Sequence, residues 1–339
     1  MPDRDTRDTA DERGTAFPGP GNQGGAENPL RTDDVMVETP NDPGARRASG
    51  GTDDSEVGKP RSLWSDAWHD LVRKPVFLLA SLLILGVTVV AVAPGLFTNT
   101  DPGFCNLQFS NQTSQPGHPF GYDRQGCDIY ARVLYGARPS VSVGLLVTLG
   151  AVLVGGSIGA IAGFYGGTVD SLLSRLTDVF FAIPLLLGAI VFLQAFPQRN
   201  VWTVVLALVV LGWTQIARIM RGAVISVKEA DYVVAARALG ASNMRILVRH
   251  VLPNAIAPVI VVATISLGIY IVAEATLSFL GIGLPPSTVS WGNDISDAQV
   301  SLRSAPHVLM WPAAALSITV LSFIMLGDAV RDALDPRLR

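Results

Sequence analysis

Charged side chains are scarce in this chain: Asp, Glu, Lys and Arg make up 16% of its 339 residues, where soluble domains carry about 25%. The deficit falls on the middle and C-terminal parts, because residues 1–62 alone hold 13 acidic and 8 basic side chains. Cysteine is nearly absent, with two in all, which excludes a disulfide-dense scaffold and a Cys-rich zinc module. Lysine occurs only at Lys59, Lys74 and Lys228. None follows a glycine-rich loop of the kind that cradles nucleotide phosphates, so a P-loop is excluded. His69, His118, His250 and His307 share no metal-ligand spacing, and no Gly-x-Ser-x-Gly nucleophile elbow occurs. The expectation is a protein that is not itself catalytic and holds neither a metal nor a cofactor of its own.

What is present is long apolar text. Residues 1–61 are acidic, rich in Gly and Pro and almost free of aromatics. Such a segment cannot bury enough surface to offset its ordering entropy, and it reads as a disordered tail. It has neither the basic n-region nor the apolar h-region of a signal peptide, and nothing in it argues for nucleic-acid binding. Trp64, Trp68, Leu71 and Val72 recur at helical spacing over 62–74, which predicts an amphipathic helix lying in the membrane interface and ended by Pro75. Beyond it, six stretches approach the roughly 20 apolar residues needed to cross a bilayer core: 76–97, 141–164, 179–196, 201–220, 255–281 and 307–326. They are apolar throughout, without a barrel's alternation, so they are helices, and the fold class is an all-α polytopic membrane protein. With the N-terminus inside, fourteen Lys and Arg fall on inner segments and five on outer ones, which puts both termini in the cytoplasm. Gly155, Gly159 and Gly163 repeat every four residues on one helical face, a helix-packing signal.

The segment 221–254, inside by this count, is too structured for a simple turn. Ala235, Ala236 and Ala238 favour helix, Gly240 suits a helix C′ position, and Ser242 or Asn243 can cap a second helix. Two short helices with a bend at Gly240 are expected, with Pro253 marking the return to the membrane. Ala235-Ala236, Gly240 and the closing Leu252-Pro253 resemble the EAA loop of ABC importer membrane subunits. Val234 stands at the family's Glu position and His250 at its usual Ile position. The wider text, Asp231-Tyr-Val-Val-Ala-Ala-Arg-Ala-Leu-Gly-Ala-Ser, Arg249-His-Val-Leu-Pro-Asn, Glu274-Ala-Thr-Leu-Ser-Phe-Leu-Gly-Ile-Gly and Leu326-Gly-Asp-Ala-Val-Arg-Asp, resembles the dipeptide/oligopeptide/nickel permease family, C-type subunit. So do Gly121-Tyr-Asp-Arg-Gln-Gly-Cys-Asp and Tyr135-Gly-Ala-Arg138. The resemblance covers about residues 61–339.

That resemblance implies a type I ABC importer transmembrane fold and a permease subunit forming half of a pathway for di- or oligopeptides, or for nickel or another small solute. It implies a second homologous permease subunit, two ATP-binding subunits that hold ATP and Mg, and an extracytoplasmic binding protein. Ala235, Ala236, Arg237, Gly240, Ala241 and Arg245 would seat in an ATPase groove. The external loop, 98–140, with Asp101, Asp123 and Asp128, would receive the binding protein. Cys105 and Cys127 both lie in that loop, where disulfides are permitted. Many relatives carry Arg where Cys127 stands, so a Cys105–Cys127 bridge is expected, the alternative being two free thiols. Glu274, an ionisable group within a span, either lines or gates the path or packs against a neighbouring helix. From another class, an ion-gradient-driven secondary transporter would predict two related halves, and the elbow motif has no second copy.

Overall fold

The computed structural model describes residues 71–334. The predicted acidic tail, Trp64 and Trp68 of the predicted interfacial helix, and residues 335–339 lie outside them. Among the described residues all regular elements are helical: α1 (Pro75–Val92), α2 (Ile129–Tyr165), α3 (Gly167–Phe181), α4 (Leu185–Gln194), α5 (Val201–Gly212), α6 (Thr214–Val227), α7 (Asp231–Ala238), α8 (Asn243–Ile246), α9 (Leu252–Phe279), α10 (Trp291–Ala298) and α11 (His307–Leu334). Of the segment expected as the interfacial helix, residues 71–73 are described and helical; Leu71 packs on Ala329 and Ala333 near the end of α11, and Lys74 reaches Asp332 at 3.4 Å.

The long helix α2 is the spine. Asp128 starts it, its side chain accepting the Tyr130 amide at 2.9 Å, as an N-cap carboxylate does. Its 37 residues make a rod of about 55 Å, and its first three turns precede the predicted span, so the loop ends at Asp128 rather than at residue 140. Against α2 lies α6, and contact between them is backbone to backbone. A Cβ at Gly155 would overlap the Trp213 carbonyl, one at Gly159 the Ala217 carbonyl, and one at Gly163 would stand 2.8 Å from the Arg221 carbonyl. Around this seam sits the main apolar core, including Val143, Val147, Val204, Leu208, Ile216 and Val224. On the other side α9 packs on α2 and α11, with α1 outside α11.

The stretch expected as one span over 179–196 is instead two helices, α3 and α4, meeting at 81°. Pro184 is the cause: it has no amide to continue the ladder and drives Ile183 out of helical backbone. A milder break of 45° separates α5 from α6 at Trp213. Among the described residues four helical stretches are long and apolar enough to cross a membrane alone, and up to six are if each bent pair counts as one span. The last helix runs eight residues beyond the expected 307–326 to Leu334, and the segment expected over 221–254 is shortened at both ends by α6 and α9.

The loop 98–128 is folded. Cys105 and Cys127 are joined, Asp123 Oδ1 accepts the amides of Gln125 and Cys127 at 2.8 Å each, and His118 Nδ1 meets Asp128 Oδ2 at 2.9 Å. Gly126, at φ 75°, lies so close to the Asn106 carbonyl that no side chain fits. The Tyr135-Gly-Ala-Arg138 text works at the same end. Arg138 donates to the carbonyls of Ala91 and Val92, at 3.0 and 2.7 Å, and so caps α1.

Two outcomes are expected. Gly159→Val must push α2 from α6 and lowers thermal stability by about 1–3 kcal/mol, measured on the purified chain in detergent, whereas Gly222→Val, where a Cβ meets nothing within 4 Å, does not. The Cys105→Ala/Cys127→Ala double variant, which frees a 22-residue separation, lowers loop stability by roughly 3 kcal/mol in the chain-entropy model. Limited proteolysis reports this as cleavage within 98–128, and an unchanged cleavage rate counts against it.

Candidate functional site

Two regions at opposite ends of α2 gather the residues singled out from the sequence. The first is the elbow between α6 and α9. Helix α7 ends in a tight turn: the Ala241 amide donates to the Ala236 carbonyl at 3.1 Å and the Gly240 amide to the Arg237 carbonyl at 3.0 Å, with Gly240 at φ 81°. This is the Schellman arrangement, which requires a left-handed residue at C′ and therefore favours Gly. Ser242 stands at the N-cap of α8, but its side chain makes no capping bond. The four-residue helix runs straight into a π-helical turn, Leu247–Val251, and so into α9.

One side of the elbow is anchored. Val233, Ile246, Leu247 and Val251 are buried in the main core. The other side is bare. Leu239 is 88% exposed, and Tyr232, Val234, Met244 and Val248 are exposed around it, with Arg237 and Arg245 among them. Ala235 is exposed, Ala236 and Ala241 half-buried, and nothing lies within 4 Å of where a Gly240 Cβ would be. An apolar knob on a fixed turn, rimmed by two arginines, is a surface shaped to be covered. Behind it, Lys228 Nζ donates to the Gly163 carbonyl at 2.7 Å and Arg221 grips Asp170 with two bonds of 2.5 and 2.7 Å. Arg218 meets Asp178 at 2.8 Å and covers the Phe181 ring. These contacts pin α6 to α2 and α3; sequence reasoning missed Asp170 and Asp178, whose partners lie 51 and 40 residues away.

The second region joins the disulfide loop to α2, α10 and α11. Arg132, counted from sequence as a loop cation, sits in the first turn of α2. It bonds Asp294 Oδ1 through Nε at 3.0 Å and through Nη2, with Asp123 Oδ2 at 3.8 Å. Burial pushes the Asp294 carboxyl up to about 6; Arg132 opposes the rise, and Asp123 and Asp297 add to it. Burial also raises Asp123, against its two backbone amides and Arg132. A cavity of about 230 Å³ opens here, lined by Asp123, Arg132, Asp294 and Asp297 on its polar side. Asp123 was singled out from the sequence, but Asp294 and Asp297 were not, since a short amphipathic helix between two spans carries no motif.

Glu274 lies one helix over, in the C-terminal part of α9, fully buried within this chain. Its Oε1 accepts the Ser278 hydroxyl at 2.8 Å, and that hydroxyl accepts the Leu284 amide at 3.1 Å. Gly281, at φ 73°, closes α9 as Gly240 closes α7, the Ile282 amide reaching the Leu277 carbonyl at 2.9 Å. Its other oxygen, Oε2, is buried and has no hydrogen-bond partner among the described residues.

The family model described as "Binding-protein-dependent transport system inner membrane component" matches residues 155–339, which hold the elbow, Glu274 and Asp294. The chain is 35% identical over 281 residues to the oligopeptide transport system permease protein OppC of Bacillus subtilis (strain 168), spanning 83% of this chain and 92% of that one. It is 35% identical over 278 residues to the dipeptide transport system permease protein DppC of Alkalihalophilus pseudofirmus, spanning 82% and 91%. To the glutathione transport system permease protein GsiD of Pectobacterium atrosepticum it is 34% identical over 280 residues, spanning 82% and 93%. Among solved structures, an inward-facing MetNI methionine ABC transporter superposes with a TM-score of 0.51 at 19% identity, covering 60% of this chain and 96% of that chain, a likeness of fold. With a bent-pair helical bundle, an exposed elbow and relatives matched along most of their length, the chain belongs to the inner-membrane components of binding-protein-dependent transport systems, in the fold of type I ABC importer transmembrane domains.

Proposed function

We infer that this chain is one of two permease subunits of an ATP-driven importer for di- and oligopeptides, and that it couples to ATPase subunits through the Gly240 elbow. The peptide class is favoured because the oligopeptide, dipeptide and glutathione permeases named above match over most of their length; nickel is not favoured. A second homologous permease completes the pathway, two ATPase chains supply ATP and Mg, and an extracytoplasmic binding protein delivers peptide at the disulfide-loop end. Both termini and the elbow face the cytoplasm, following the bias of Lys and Arg.

The observation that carries this reading is Leu239, 88% exposed at the tip of a turn whose other side is locked into the bundle. Burying such a side chain in a partner groove contributes about 1.5–3 kcal/mol. Ala235, Ala236 and Ala241 keep the approach close, and Arg237 and Arg245 suit carboxylates at the groove's rim. The elbow passes through the π turn into α9 without a flexible link, so a displacement imposed on α7 by a closing ATPase pair moves α9, and with it the α2 and α11 surfaces it packs on. The chain supplies the lever and the wall, and the hydrolytic chemistry belongs to its neighbours.

The test is peptide-stimulated ATP hydrolysis and uptake by the reconstituted complex. Leu239→Asp removes a centrally placed apolar anchor, expected to weaken ATPase binding about 30-fold or more. Gly240→Val strains only the backbone, by about 1–2 kcal/mol, because its side chain meets open space. Both variants insert and fold, and both lose stimulated hydrolysis and uptake. Normal uptake in both would end the docking role.

A further inference from the structure

Three carboxylates, Asp123, Asp294 and Asp297, act on one another around a single buried cation, Arg132. Arg132 engages only one oxygen of Asp294, Oδ1. The other, Oδ2, is buried and has no hydrogen-bond partner among the described residues, in a side chain that is 8% exposed. Asp123 commits Oδ1 to the amides of Gln125 and Cys127 and turns Oδ2 to Arg132 at 3.8 Å. Asp297 stands exposed at the rim, and Arg124 lines the mouth from the solvent side, bonded to none of the three among the described residues. A buried carboxylate oxygen without a donor is costly, and a charged donor brought to this cluster would offset that cost.

The walls narrow the choice of cation. Ile129, Val300, Val308 and Pro312 line the cavity beside the carboxylates. Apolar side chains beside acidic ones suit a methylene stem with a charged head, the shape of Lys or Arg. A bare metal ion would find too few ligands: among the described residues no group of three or more His, Cys, Asp or Glu could hold one. The floor is rigid, because Asp123 sits four residues before the disulfide-bonded Cys127 and Arg132 in the first turn of α2.

We propose that this cavity receives the side chain of one lysine or arginine of the extracytoplasmic binding protein, which pairs with the exposed Asp297 and with the Asp294 carboxylate behind it and fixes that protein's register on the loop. The proposal rests on the reading of the chain as an importer subunit with the disulfide loop outside. It makes Asp294 and Asp297 binding residues and Arg132 a positioning residue that holds Asp294 through Oδ1.

The experiment uses the complete complex in nanodiscs and the peptide-loaded binding protein that stimulates its ATPase, with affinity measured at two salt concentrations. Asp294→Asn and Asp297→Asn each weaken binding at least about tenfold, with a flatter salt dependence. Asp297 is exposed, so its variant does not threaten folding. A Lys/Arg→Gln scan of the binding protein finds one residue whose loss weakens binding to the wild type but adds nothing to Asp294→Asn. Unchanged affinity in both aspartate variants, or no such coupled residue, overturns the proposal. It is equally overturned if the variants leave this affinity intact but raise the KM for peptides with a free amino terminus and not for N-acetylated ones, since the cavity then serves the cargo. Wild-type complex that binds no binding protein sinks the importer reading as well, whereas wild-type binding with unaffected variants sinks this inference alone.

Discussion

The close approach of α2 and α6 at Gly155, Gly159 and Gly163 is the constraint on which the other features rest. Only a residue without Cβ lets the Trp213 and Ala217 carbonyls lie on the α2 surface, and packing of this kind drives helix association where lipid removes the hydrophobic incentive. The contact sets how far α6 runs beside α2 and where it ends, at Lys228 bonded to the Gly163 carbonyl. It also brings Arg221 to Asp170, so the bent pair α3 and α4 is held to the same seam. The elbow starts from this fixed point.

From there the chain is stiff in both directions. Val233, Ile246, Leu247 and Val251 hold α7 and the π turn to the core, and α9 then runs 28 residues without interruption. The same device terminates α7 and α9: Gly240 and Gly281 both take positive φ and return an amide to a carbonyl of the last turn. One turn is left open to a partner. The other, also exposed at Gly281, is reinforced from within by Glu274 and Ser278.

The opposite end of α2 is organised by charge instead of by small residues. Arg132 and Asp294, 162 residues apart in sequence, meet below a loop stapled by Cys105–Cys127. Their surroundings are dry enough to push the Asp294 carboxyl well above the ordinary carboxylate range. Burying Arg132 with Asp294 carries a desolvation cost that only close pairing offsets, and Asp297 stands exposed beside that pair.

Much of this was legible in the sequence for local reasons. Apolar length marked the spans, the four-residue glycine spacing marked the α2 face, and Ala-rich text broken by Gly240 marked two helices and a bend, since helix propensity, lipid exclusion of unpaired backbone and positive φ are properties of neighbouring residues. The Cys105–Cys127 pair was expected from a resemblance and the structure joins it. The 81° break at Pro184 was not legible in a stretch that read as one span, because whether a proline kinks or splits a membrane helix depends on what packs beside it. Asp170, Asp178, Asp294 and Asp297 carried no motif. The sequence by itself determined which segments are apolar enough to span a membrane and that the chain bends at Gly240. Only the tertiary structure decided which buried charges meet, because pairing across 40 to 162 residues depends on which helices become neighbours.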